Sequence, residues 1–351
     1  MYADRIVLYK RLEKEFGSKL LIYVTGDRPG MAAQVGSDAI DYFIEQLDKI
    51  GVCEKISLFL YTRGGDTSAA WNIINLLRMY CDNLQVIVPH KAHSSGTIIS
   101  LGANEIVMTK QATLGPIDPS IITPLNPEIS NGVGTSKYPV SVEAVKGYLD
   151  YAKNELGIND PKILGDIFNK LSEKVHPLVL GQVYRSKTQI KRIAHTLLRN
   201  QVTEEDKVNK IIDFLCSESG GHDYTINRRE AKDELGLNVS KVTDIQYGLI
   251  KQVMNDLGEE LQLKKPFNPN LINGQYFCKR ALLESVPGGS DYFITEGSIT
   301  KMTLPDGRKA MQNEVYFEGW KHEDKKVLQF KSEEITEGEE TIYERGKDYQ
   351  I

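Results

Sequence analysis

The sequence predicts an α/β protein: a mostly parallel sheet wrapped by helices, with a small β-rich appendage at the C-terminal end. Three observations predict it. Short continuous apolar runs alternate with stretches of helical periodicity up to about residue 120. A long helical tract then runs from about Val140 to Cys216, and from about Phe277 short alternating runs take over. The composition change at "KKPFNPNLINGQ" divides the chain into residues 1–265, the α/β body, and 266–351, the β-rich region.

Each element follows in order. "LLIYV" is a short apolar strand that breaks at "TGDRPG", and Ala39, Ile40, Phe43, Ile44, Leu47 and Ile50 then recur at helical spacing. "KISLFLYT" is a second strand ending at Gly64-Gly65, followed by a helix with a stripe of Ala70, Ile73, Ile74 and Leu77. "LQVIVP", the short helix "GTIISLGA" and the strand "EIVMTK" complete the repeating pattern. Further on, His176-Pro177 marks a helix start, because proline fits the first turn. Asn227 is placed to cap the short helix "RREAKDELG", and "LPDGRK" reads as a hairpin turn in the β-rich region.

Bulk composition narrows the function. The chain has 351 residues, 40% hydrophobic and 26% charged, the balance of a soluble globular protein with a proper core. Its formal net charge of -5 is interleaved along the chain, which leaves no footprint for nucleic acid or a lipid surface. Cys53, Cys81, Cys216 and Cys278 form no CxxC pair and have no histidine at ligand spacing, so neither a metal site nor a disulfide framework is expected. The N-terminal stretch is charged from Asp4 onward, unlike a signal peptide, and no run reaches the ~20 apolar residues of a membrane span. The expected location is the cytoplasm.

The chemistry gathers at one place. Gly64-Gly65 stands at the carboxyl end of the second strand, and Ser94-Ser95 stands just after the third, at the head of an apolar helix. In a parallel sheet both fall on the edge where ligand sites form. A diglycine can turn its N–H groups inward, and a helix start adds further N–H groups, so together they can cradle an oxyanion. Taken singly, a diglycine is a tight turn and a serine is a helix cap. The residues alone leave both readings open.

The strings "LFLYTRGGDTSAAWNIINLL" and "VIVPHKAHSSGTIISLGANEIVMTKQATLGPIDP" closely resemble the serine dehydrogenase proteinase family, a branch of the Clp protease and crotonase superfamily. The resemblance runs from about Lys19 to Asp244. That family's proline-His, Ser-Gly-Gly-Thr, "DEIVM" and "LGPVDP" are met here by Pro89-His90, Ser94-Ser95-Gly96-Thr97, "NEIVM" and "LGPIDP". It implies a Clp-like serine hydrolase, a peptidase acting on peptides or proteins, with no cofactor and with like chains assembled into trimers or hexameric rings. It puts Ser94 on the nucleophile, and Ser95, which replaces a family glycine, on the residue whose N–H joins those of Gly64 and Gly65 as oxyanion donors.

A serine needs a base. In the Clp branch the catalytic His lies on the strand after the nucleophile helix, and Asp118 stands at the corresponding place here. Membrane-associated relatives use a Ser-Lys dyad, and "LSEKVHPLVLG" resembles that region, which makes Lys174 the first candidate and His176 the second. Apolar burial lowers a lysine's pKa and turns it into a working base. The loop "GGHDYTINRREAKDELGL" resembles the Clp segment that carries the triad aspartate, which falls on Asp223, with His222 beside it as a third candidate.

Three function classes follow. The first is a cytoplasmic serine peptidase with Ser94 as nucleophile. The second keeps the fold but stabilises enolates of acyl-CoA thioesters, as crotonase relatives do; apart from Arg63, no basic cluster near "TRGGD" suggests the phosphate pocket it needs. The third is an inactive Clp-like scaffold that binds peptides or assembles partners through its β-rich region. No lysine-centred pyridoxal phosphate motif supports dehydratase chemistry.

Overall fold

In the computed structural model, which describes residues 1–117, 120–130, 135–218, 221, 223–303 and 309–323, the apolar runs form strands buried on both faces. These are β1 (Lys19–Thr25), β2 (Cys53–Tyr61), β3 (Cys81–Val88), β4 (Glu105–Met108) and β5 (Val239–Lys241), all mutually parallel. Three antiparallel strands extend the same sheet: β6 (Gly274–Ser285), β7 (Gly289–Thr303) and β8 (Lys309–His322). The order is β5-β4-β3-β2-β1-β6-β7-β8. The β-rich C-terminal strands are thus hydrogen-bonded to β1, with Leu21 opposite Ser285 and Val24 opposite Leu282. The "LPDGRK" turn spans 304–309, of which 304–308 lie outside the described residues; the flanking strand ends, Thr303 and Lys309, pair.

Because side chains alternate across a strand, the sheet serves two cores. Leu21, Tyr23, Leu58 and Leu60 pack beneath α2 (Ile40–Ile50), α3 (Thr67–Tyr80) and α4 (Ser95–Leu101). The expected stripe on α3 is buried: Ala70, Ile73, Ile74 and Leu77 all face this core, each large side chain contributing about 1.5–3 kcal/mol. Asp66 caps that helix by accepting the Ala69 N–H at 2.6 Å. The alternate residues, Leu20, Ile22, Val24, Phe59 and Tyr61, face α1 (Tyr2–Phe16) and a late helix, α9 (Asp244–Glu260). α1 is an addition to the elements that the sequence predicts.

The helical tract holds α5 (Val142–Asp150), α6 (Pro161–Lys174), α7 (Pro177–Leu198) and α8 (Glu205–Asp213). The second half of α7, from Ile190 to Leu198, enters the α2–α4 core, whereas its start packs in a satellite of Val140, Val142, Val179 and Val183. α6 buries no residue at all. Asn227 caps the next turn as expected, its Oδ1 accepting the N–H groups of Arg229 and Glu230. Among the described residues no helix is long and apolar enough to cross a membrane.

Candidate active site

The segment from β2 to α4 is laced together by backbone bonds. Thr62 N–H donates to Lys91 O at 3.1 Å, and His93 N–H donates to Thr62 O at 3.1 Å. This lays the chain before α4 beside the end of β2 and sets Ser94 against Gly64. A Cβ built on Gly64 would lie 2.7 Å from Ser94 Cβ and 3.2 Å from its Oγ, so only glycine fits. Gly64 and Gly65 also take positive φ of 118° and 151°, conformations that L side chains rarely adopt. The diglycine and the serine pair therefore meet in space.

Ser94 is itself strained. With φ 52° and ψ −114° it sits outside the regions open to a non-glycine residue at no cost, and such a residue stores about 1–3 kcal/mol. It stands at the N-cap position of α4 yet makes no side-chain cap hydrogen bond. A capping serine would be extended, with its Oγ on an N–H of the first turn. The strain is held from below by Thr97, whose Oγ1 lies 2.9 Å from Ala92 O and accepts Gly115 N–H at 3.0 Å. α4 is buried along its whole length.

The three candidate oxyanion donors are unequal. The Gly64 N–H donates to Thr62 Oγ1 at 3.0 Å, whereas the Gly65 and Ser95 N–H groups have no hydrogen-bond partner among the described residues. Ser95 Oγ is fully buried and also lacks a partner. Sequence reasoning passed over Thr62, which holds Gly64, and His93, whose Nε2 lies 2.8 Å from Thr113 Oγ1. A threonine one residue past a strand carries no periodic signal, and only the register of Thr62 with the Lys91–His93 segment makes it part of the site.

The base candidates separate. Lys91–Ala92 runs parallel to Thr113–Leu114, and Ile226–Asn227 runs antiparallel to that pair, with Ile226 opposite Leu114. Chain polarity then places the residues just before Ile226 at the end of this ribbon from which His93 and Ser94 emerge. Asp223 is exposed in that loop, and His222 lies outside the described residues. Lys174 and His176 are on the opposite side of this division. Both are exposed at the α6–α7 junction, and about 21 Å of helix separates His176 from Ile190, where α7 enters the main core. The chain gives Lys174 no apolar enclosure. His176 caps α7, with Nδ1 accepting the Leu178 N–H at 3.2 Å. Asp118 falls outside the described residues.

A cavity of about 1130 Å³ is lined by His90 and Lys91 but not by Ser94. There Asp27 accepts from Tyr61 Oη at 2.7 Å and from Lys91 Nζ at 2.8 Å. Burial would raise the Asp27 pKa, but these two hydrogen bonds override it and hold the carboxyl below its usual range. Burial, helped by Lys91 and Lys264, pushes the His90 imidazole down.

Comparison with known proteins bears on this segment. Residues 50–137, which include Gly64-Gly65 and Ser94-Ser95, match the ClpP-like SDH-type serine proteinase family, the family whose motifs the sequence resembles. Two uncharacterized proteins of Methanocaldococcus jannaschii are similar to the chain. One is 30% identical over 187 residues, 52% of this chain and 53% of that protein; the other is 30% identical over 185 residues, 53% and 52%. The matched part spans about half the length of these curated relatives. Among solved structures, the chain is similar to the 1510-N membrane-bound stomatin-specific protease, at 17% identity and TM-score 0.35, covering 68% of this chain and 84% of that one. It is also similar to ClpP1 from Listeria monocytogenes, at 12% identity and TM-score 0.35, covering 68% and 99%.

Proposed function

We propose that the chain is a serine peptidase in which Ser94 attacks a peptide carbonyl, and the N–H groups of Gly65 and Ser95 receive the oxyanion. The observation that carries this reading is the strained Ser94 backbone, φ 52° and ψ −114°, held against Gly64 at the head of a buried helix. Strain of this kind persists only where the surroundings over-determine it. It presents the hydroxyl at the sheet edge instead of to the helix's own N–H groups. Gly64, whose N–H is engaged by Thr62, makes room for the serine and sets the turn that aims Gly65.

His222 takes the hydroxyl proton and Asp223 orients it, a reading supported by the ribbon register that brings the Asp223 loop to the Ser94 end. The proton then goes to the leaving amine, and water entering by the same base releases the acyl group. A second reading keeps Lys174 as base, with His176 beside it, in an assembly of like chains. It is favoured by α6, which buries no residue and exposes Ile163 and Phe168, so that a second copy covering it would enclose Lys174. The reducing setting suggested by the cysteines makes the cytoplasm the proposed location.

The test is labelling with a fluorophosphonate probe and hydrolysis of a denatured protein. Ser94→Ala abolishes both; labelling at full strength in that variant sinks the proposal. His222→Ala slows labelling at least ~100-fold if the loop supplies the base. Lys174→Ala does so under the second reading, with a loss that depends on protein concentration.

A further inference from the structure

The large cavity beside His90 holds a feature that the hydrolytic reading does not use. Arg28 is buried, with 5% exposure, and makes no ion pair among the described residues. Its Nε donates to Lys265 O at 2.8 Å and its Nη1 contacts Cys278 Sγ at 3.4 Å; its guanidinium lies 5.6 Å from the centre of the Phe267 ring. All three partners are neutral. The carboxylate next to it in sequence, Asp27, is taken up by Tyr61 and Lys91. A buried charge is ordinarily paired, so this guanidinium waits for a counter-charge.

The cavity wall supplies more cations. Lys91, Lys264 and Lys265 line it with Arg28, against Asp27 and the exposed Glu259. A second group is left waiting. Gln262 is held at φ 51°, in the left-handed region, and its Oε1 is buried with no hydrogen-bond partner. A ligand N–H or O–H would satisfy it. Met254, Leu263 and Leu271 give the remaining wall an apolar character, and the volume far exceeds that of an inorganic ion.

We propose that this cavity binds an organic phosphate, its phosphoryl group on Arg28 and the lysines and its apolar or aromatic body against Met254, Leu263 and Leu271, with a donor to Gln262. A guanidinium in a cavity also lined by lysines suits a doubly charged, multidentate oxyanion. The proposal is independent of Ser94 chemistry, and its test reads binding alone.

The 351-residue chain is titrated with inorganic phosphate, phenyl phosphate and adenosine 5′-monophosphate at low salt, following thermal midpoint and calorimetric heat. At least one organic phosphate raises the midpoint and binds more tightly than inorganic phosphate. Arg28→Gln weakens that binding by about tenfold or more, the loss expected for a charge-assisted contact. Lys264→Gln with Lys265→Gln, at two exposed positions, weakens it severalfold and flattens its salt dependence. Ser94→Ala leaves it unchanged. The proposal is overturned if none of the three probes shifts the midpoint, if inorganic phosphate binds as tightly as both esters, or if binding persists undiminished in the lysine double variant.

Discussion

Among the described residues two arginines are buried, and they sit in opposite surroundings. Arg5, on α1, is wholly enclosed and wholly paired: Nη2 reaches Glu284 Oε1 at 2.5 Å, Nη1 reaches Glu260 Oε2 at 2.5 Å, and Tyr9 and Ser290 complete the ring on Glu284. Lys279 closes the far side of Glu260 at 2.6 Å. This cluster ties the first helix, α9 and the antiparallel strand β6 together, and none of its residues lines the cavity beside Arg28. Arg28, at the carboxyl edge of the parallel half, has neutral partners and open space. A charge buried for architecture is closed on itself, and a charge buried for a ligand is left one partner short.

The largest expected effect tests that contrast directly. Arg5→Met leaves Glu284, which is fully buried, without its cation, and removal of one partner from a buried pair costs about 3–5 kcal/mol. Arg28→Met strands no carboxylate and forfeits only contacts to neutral partners, two hydrogen bonds and the Phe267 ring, so it costs about 1–2 kcal/mol. Urea unfolding of the two variants against the parent measures both. Equal costs would erase the distinction between the two arginines.

The same contrast extends from charge to backbone at the serine edge. Gly64→Ala forces a Cβ to 2.7 Å from Ser94 Cβ at a φ of 118°, so stability falls by about 1–3 kcal/mol. Fluorophosphonate labelling falls further than stability, because the side chain meets Ser94, the proposed nucleophile. Circular dichroism melts and labelling rates on the same sample separate the two. A variant that labels at the parental rate would show that the contact between Gly64 and Ser94 has no bearing on the chemistry.

How much of this was legible in the sequence follows from what each feature depends on. Strands buried on both faces leave continuous apolar runs, so β1 to β4 stood out, and the α3 stripe at 3.6 spacing likewise. Ser94 and the diglycine were visible because each lies at a strand end, and the edge they share follows from parallel topology. The strain on Ser94 was not visible, since it arises from register with Thr62 and bonding through Thr97. α1 was missed because the face it buries includes Arg5, a charge whose partner Glu284 stands 279 residues away. The cavity cations were missed for the same reason. Arg28, Lys91, Lys264 and Lys265 come from three distant stretches, and a search for a basic cluster near "TRGGD" does not reach them. Local periodicity reports what a segment buries; it carries no record of charges that meet only after folding.

The smallest effect concerns pH and sharpens the description of the closed cluster. Burial would raise the Glu260 pKa, but Arg5 and Lys279 outweigh it, so the carboxyl titrates below its usual value. A depressed pKa stabilises the fold above the unfolded value, near ~4.3, and the contribution is lost as pH falls through the lower folded value. Glu260→Gln removes the charge at every pH. The thermal midpoint of the parent should therefore exceed that of Glu260→Gln at pH ~6, and the gap should narrow below pH ~4.3 as the parent carboxyl takes up its proton. A gap that stays constant through acid would mean that shape alone, and not the ionised carboxylate between Arg5 and Lys279, holds α9 to the sheet.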